Sequence, residues 1–132
     1  MFVPILKLGF CLIVTAQSDL TDTEWKQLQF TLLEKVASTH ARNVILDMTG
    51  VNILDSFAGR MINDIAQMIH LGGAETIIVG IQPEVAWTLV QLGLRLKNVI
   101  TLLDLEEGIE LASRQGSANS LALFTKKANN AF

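Results

Sequence analysis

With 132 residues, half of them hydrophobic and 17% charged, the chain is long enough for one domain with its own core and too apolar to be a disordered segment. A net charge of −3 with no basic patch argues against nucleic-acid binding. The single cysteine, Cys11, excludes an internal disulfide and fits a reducing compartment; inside its apolar run it reads as a buried small hydrophobe.

Val3 to Leu8 and Phe10 to Thr15 are two short apolar runs divided by Gly9, the pattern of a β-hairpin. FCLIV followed by Thr15-Ala16-Gln17 faintly resembles an export signal. No positive charge precedes Pro4, and Lys7 and Gly9 interrupt the run, so two strands are the better reading. No apolar stretch approaches the ~20 residues of a membrane helix. Thr21 three residues ahead of Glu24 is a capping box. The apolar spacing of Trp25, Leu28, Leu32, Leu33 and Val36 then predicts a helix ending near His40.

Val44-Ile45-Leu46, closing at Asp47, reads as a buried parallel strand, and Thr49-Gly50 as the start of a loop. A second helix begins at Asp55-Ser56, with Ser56 at the N-cap. Its expected inner face is Phe57, Met61, Ile65, Met68 and Ile69, and Gly72-Gly73 ends it. Thr76 to Gly80 is another buried strand. Pro83 opens a third helix carrying Val85, Trp87, Leu89, Val90 and Leu92 up to Gly93. Val99 to Leu103 is the last strand, and Asp104 caps a final helix through Leu105, Ile109, Leu111 and Ala112. Strands alternating with helices predict an α/β fold: a mostly parallel mixed sheet, an N-terminal hairpin, and about four crossover or packing helices. Residues 116–132 are polar apart from Leu121 to Phe124 and are expected to form a mobile tail beyond a domain at 1–115.

The sequence carries little catalytic machinery. No Gly-rich phosphate loop precedes a helix, and one Cys with two distant His does not make a metal site. Ser56, His70 and Asp47 can be written as a triad, but His70 lies about four turns along the helix that Ser56 begins, roughly 20 Å away. Asp47 and Asp55 fall at the carboxyl edge of the sheet, where binding sites collect. They fit a metal pair or, more commonly, carboxylates that order a turn. Ser56 itself has two readings. It is a helix-capping hydroxyl, or a phosphate acceptor at a helix start whose N–H groups and dipole welcome an anion. The residues alone leave both open.

The stretch D47-M-T-G-V-N-I-L-D-S-F-A-G59 resembles the signature of STAS domains, the anti-anti-sigma-factor family. There a strand ending in Asp leads through a TGV-like loop to Asp-Ser at a helix start. The segment G80-I-Q-P-E-V-A-W-T-L-V-Q-L-G93 is similar to the "GI-x-P-x-x-A-x-T" block of bacterial stressosome STAS proteins, and Pro4 to Leu8 and Leu103 to Gly108 match as well. The resemblance runs from about Val3 to Ser113 and does not cover the tail after Arg114. It implies a STAS fold and a cytoplasmic, non-enzymatic stressosome scaffold without cofactor or metal, binding neither nucleic acid nor membrane. The implied partners are an RsbR-like STAS co-scaffold, an RsbT-type serine kinase and an RsbX-type phosphatase, in a homodimer or a larger assembly. Ser56 matches the phosphoacceptor, Thr88 a weaker second acceptor, and Asp47, Thr49, Asp55 and Phe57 the surroundings where the kinase docks. The alternative is a SpoIIAA-like anti-anti-sigma factor that binds an anti-sigma kinase directly.

Overall fold

The computed structural model describes residues 3–114, so the tail lies outside the described residues. The chain opens with strands β1 (Ile5–Leu8) and β2 (Cys11–Gln17), paired antiparallel about Gly9, whose φ of +61° is cheap only for glycine. Helix α1 (Asp22–Thr39) begins with the capping box complete: the Glu24 amide donates to Thr21 Oγ1 at 3.2 Å, and the Thr21 amide to Glu24 Oε1 at 3.1 Å. It ends at His40, which takes the left-handed conformation of a C-cap. Thr21→Ala removes one side of this exchange and is expected to cost about 1 kcal/mol, read as a lower urea midpoint with an unchanged slope.

β3 (Asn43–Gly50), α2 (Ser56–Leu71), β4 (Glu75–Val79), α3 (Pro83–Gln91) and β5 (Val99–Leu102) follow, and residues 105–114 form a last helix, α4. Asp104 caps α4 by accepting from the Glu107 amide at 2.9 Å. The five strands lie in the order β1-β2-β3-β4-β5, with β2 through β5 parallel. Each parallel strand is added on the same side of its predecessor. Right-handed crossovers therefore carry α1, α2 and α3 to one face of the sheet. Strand alternation sends Leu12, Val14, Val44, Leu46 and Ile78 into that face, where they meet Trp25, Leu28 and Leu32 of α1, Ile62 and Ile65 of α2, and Val85 and Leu89 of α3. The opposite face holds Cys11, Ile13, Ile45, Ile77 and Val79 and is covered by α4 through Leu105, Ile109 and Ala112. Gly108 brings α4 close to the sheet: a Cβ there would stand 2.9 Å from Val79 Cγ1.

Three expectations are corrected. β3 does not stop at Asp47; it continues to Gly50 through a bulge, since Thr15 pairs with Asp47 but Gln17 with Gly50. Met48 stays on the core face with Val44 and Leu46 by strand alternation, and the extra residue re-aims the strand's end. Met68, expected on the inner face of α2, is 41% exposed. In α3 only Val85 and Leu89 are buried, four residues apart on one stripe, which leaves Trp87 66% and Val90 73% exposed.

Cys11 is buried, and burial pushes its thiol up from 9.0 to about 11 against the smaller opposing effect of a backbone hydrogen bond with Ile45. Only the folded state resists forming the thiolate, so it keeps its proton to higher pH than the unfolded chain. This contribution to stability is complete below about pH 9 and is lost as pH rises towards 11. Cys11→Ala is expected to flatten the decline of the urea midpoint across that window; an identical slope in the variant would refute it.

Candidate functional site

The carboxyl ends of the parallel strands gather the loops after β2, β3 and β4, as an open α/β sheet dictates. The β3–α2 loop, residues 51–55, runs between two buried anchors, Val51 and Leu54. At its start Asp47 Oδ1 accepts from the Thr49 amide at 3.0 Å and from Thr49 Oγ1 at 2.6 Å, a local turn held by a charged acceptor. Gly80, at φ +72°, lies directly beneath that hydroxyl, and a Cβ there would collide with Thr49 Oγ1. Asp47 thus orders the local backbone, and Asp55 does the same by accepting from the Ala58 amide at the start of α2. Among the described residues no group of His, Cys, Asp and Glu is arranged to hold a metal ion.

The helix cap falls one residue earlier than expected. Asp55 is the N-cap of α2: its backbone is extended, and its Oδ1 accepts from the Ala58 amide at 2.7 Å. Asp and Ser are both strong capping residues; the carboxylate takes the amide, and Ser56 becomes the first helical residue. Ser56 is exposed, and its hydroxyl makes no hydrogen bond among the described residues. Its position beside the free amides of the first turn is retained. Arg60, also exposed, stands four residues on and shares its side of the helix. His70 lies in the last turn of the same helix, so fourteen residues, about 21 Å of helix axis, separate it from Ser56.

Phe57 is half-buried, with the Lys26 ammonium 5.8 Å from its ring centroid. Thr88 is half-buried on α3, and its hydroxyl donates to the Glu84 carbonyl at 2.9 Å, a bond within the helix. Thr88 and Trp87 form one wall of a shallow groove with Pro83 and Glu84, and Asn52, Ile53 and Leu54 of the loop form the other. Ile53 is 78% exposed, so two large apolar side chains, Ile53 and Trp87, stand open along this groove.

Two polar residues that the sequence reading did not single out complete the site. Ser18 Oγ accepts from the Asn52 amide at 2.7 Å and donates to the Gly50 carbonyl at 3.4 Å. Gln82 Nε2 donates to the Thr49 carbonyl at 2.7 Å and to Asn52 Oδ1 at 2.9 Å. Their sequence distance from the loop, thirty residues or more, leaves no local pattern to read.

Fold and site together define a small α/β domain that displays a serine in the first turn of a helix at the carboxyl edge of its sheet. The chain belongs to the STAS domain family, whose model matches residues 5–108. Among solved structures it is similar to the RsbS of Moorella thermoacetica in a serine-to-glutamate form: TM-score 0.78, 28% identity, 87% of this chain and 97% of that one. It is equally similar to a chain from the molecular architecture of the stressosome, described as a signal integration and transduction hub: TM-score 0.77, 28% identity, 86% of this chain and 98% of that one. The RsbT co-antagonist protein RsbRA of Bacillus subtilis (strain 168) is 37% identical over 92 residues, 69% of this chain. The chain spans about a third of that relative's length, 34%. No helix among the described residues is long and apolar enough to cross a membrane.

Proposed function

We propose that the chain is an RsbS-like, non-enzymatic scaffold of a cytoplasmic stressosome-type complex, holding an RsbT-type serine kinase and releasing it once Ser56 is phosphorylated. The observation that carries this reading is the exposed Ser56 hydroxyl, without a hydrogen bond among the described residues, at the first residue of α2 immediately after the aspartate that caps the helix. An acceptor hydroxyl must enter a kinase active site, and this one breaks no hydrogen bond among the described residues to do so. Similarity to RsbS and to RsbRA supports an assembly with an RsbR-like co-scaffold beside this chain; in this reading an RsbX-type phosphatase resets the switch.

The switch is electrostatic. A phosphate adds about −1.5 to −2 charges next to the Asp55 carboxylate. Within the domain, the free amides of the first turn and Arg60 offset part of that cost. A docked partner covering Asp55, Phe57 and the Asp47–Thr49 turn provides no such compensation where its surface is apolar or acidic, and a buried unpaired dianion is expensive. Thr88 serves at most as a secondary acceptor, because its hydroxyl must first leave the Glu84 carbonyl. Thr88→Ala is therefore expected to keep initial phosphate incorporation within twofold of wild type when labelled by an RsbT-type kinase and ATP; a loss of most of the label would reverse the order of the two acceptors.

The assembly is tested by size-exclusion chromatography with an RsbR-like protein and an RsbT-type kinase. Co-elution as a megadalton-scale particle supports the scaffold. A one-to-one complex with an anti-sigma kinase, and none with the RsbR-like protein, would favour a SpoIIAA-like factor instead.

A further inference from the structure

We infer that Gln82 is a positioning residue for Ser56: it straps the acceptor loop to the start of α3 and so sets the fraction of molecules that present the serine in the geometry a kinase can use. The inference rests on Ser56 being the acceptor. Gln82 occupies the N-cap position of α3 yet makes no capping hydrogen bond. Glutamine is not among the favoured capping residues, and here its amide points away from the helix it begins. Both protons of Nε2 are spent on the loop, one on the Thr49 carbonyl at 2.7 Å and one on Asn52 Oδ1 at 2.9 Å.

The strap works against a fixed opposite side. Ser18, from the loop after β2, holds the Asn52 amide at 2.7 Å. Asn52 is thus held by its backbone from one side and by its side chain from the other, four residues before Ser56. The loop has no strand or helix partner of its own between Val51 and Asp55, so these contacts and the two buried anchors define its path. The same strap joins the two walls of the groove, since Gln82 immediately precedes Pro83 on one wall and bonds Asn52 on the other. Whatever seats against Trp87 is thereby mechanically linked to the acceptor loop.

Losing both bonds leaves the loop with several accessible paths. Apparent affinity falls by the fraction that remains competent, while the chemical step on a correctly bound serine is unchanged. The test is steady-state phosphorylation of the full chain by an RsbT-type kinase with ATP, comparing wild type with Gln82→Ala and with Gln82→Glu, which keeps the shape but has no donor. The expected result is a KM for the chain raised about tenfold in both variants with kcat within twofold of wild type. Amide hydrogen exchange at Asn52, the loop amide held by Ser18 Oγ, measured without kinase, should quicken about tenfold in both variants while the middle of α2 exchanges as in wild type. Where wild type is labelled on Ser56, an unchanged KM, a fall in kcat alone, or unchanged exchange at the Asn52 amide in the variants overturns the inference and leaves the acceptor reading intact. A wild type that takes no phosphate on Ser56 overturns the acceptor reading itself and, with it, the strap's role in presentation, whatever the exchange shows.

Discussion

Gly80→Ala is expected to lower the melting temperature by about 10 °C, the largest effect of any single methyl group added near the site. Two costs combine. The backbone at Gly80 sits at φ +72°, where a Cβ costs roughly 1 kcal/mol. The new methyl group also meets Thr49 Oγ1 in direct collision and stands 3.1 Å from the Thr49 amide nitrogen. Thr49 must then move and give up its 2.6 Å bond to the Asp47 carboxylate, a charge-assisted interaction worth roughly 2 kcal/mol. A sum near 3 kcal/mol corresponds to about 10 °C in a domain of this size. Thr49→Ala combined with Gly80→Ala should be less destabilised than the two single losses added together, because the collision partner is gone. It should not return to wild type, because the Thr49 backbone remains close. Calorimetry of the four proteins checks this; simple additivity would show that the hydroxyl is not what excludes a side chain at position 80.

Phosphorylation of Ser56 should weaken capture of the kinase about 100-fold, equivalent to about 2.7 kcal/mol, while the melting temperature of the isolated chain changes by no more than about 2 °C. The contrast follows from the cap. Were Ser56 the N-cap, its modification or removal would cost the helix about 1 kcal/mol. Asp55 holds that position instead, so Ser56→Ala leaves the fold alone and isolates the function. Asp55→Ala should show the reverse, a loss of about 1 kcal/mol in stability with Ser56 still present. Ser56→Asp is a poorer mimic, carrying one charge and no tetrahedral group. Calorimetric titration of kinase into phosphorylated and unmodified chain measures the difference; equal affinities would remove the switch.

What the sequence made legible was local. The Thr21–Glu24 box, Pro83 at the start of α3 and the Asp104 cap each act within four residues, and each stands where the pattern placed it. The hairpin about Gly9 and the parallel order of the later strands follow from run lengths and handed crossovers. The errors came where two local rules tie or where packing decides. Asp55 and Ser56 are adjacent residues of equal capping preference, and only the carboxylate's reach to Ala58 separates them. Trp87 is hydrophobic and sits in an amphipathic helix, but the helix is too narrowly packed to bury a residue two places from Val85. The bulge in β3 depends on its pairing with β2, which β3's own residues do not encode. The Ser18 and Gln82 contacts join loops thirty residues apart. The serine was therefore visible in the sequence, and the scaffold that presents it was not.

The most direct test is to incubate the purified chain with an RsbT-type kinase and ATP and to locate the phosphate by peptide mass spectrometry, with Ser56→Ala alongside. The account predicts that wild type carries its phosphate on Ser56 and that the variant, folded to the same melting temperature, takes up almost none. Undiminished labelling of the variant, or a wild type modified elsewhere with Ser56 untouched, would contradict it.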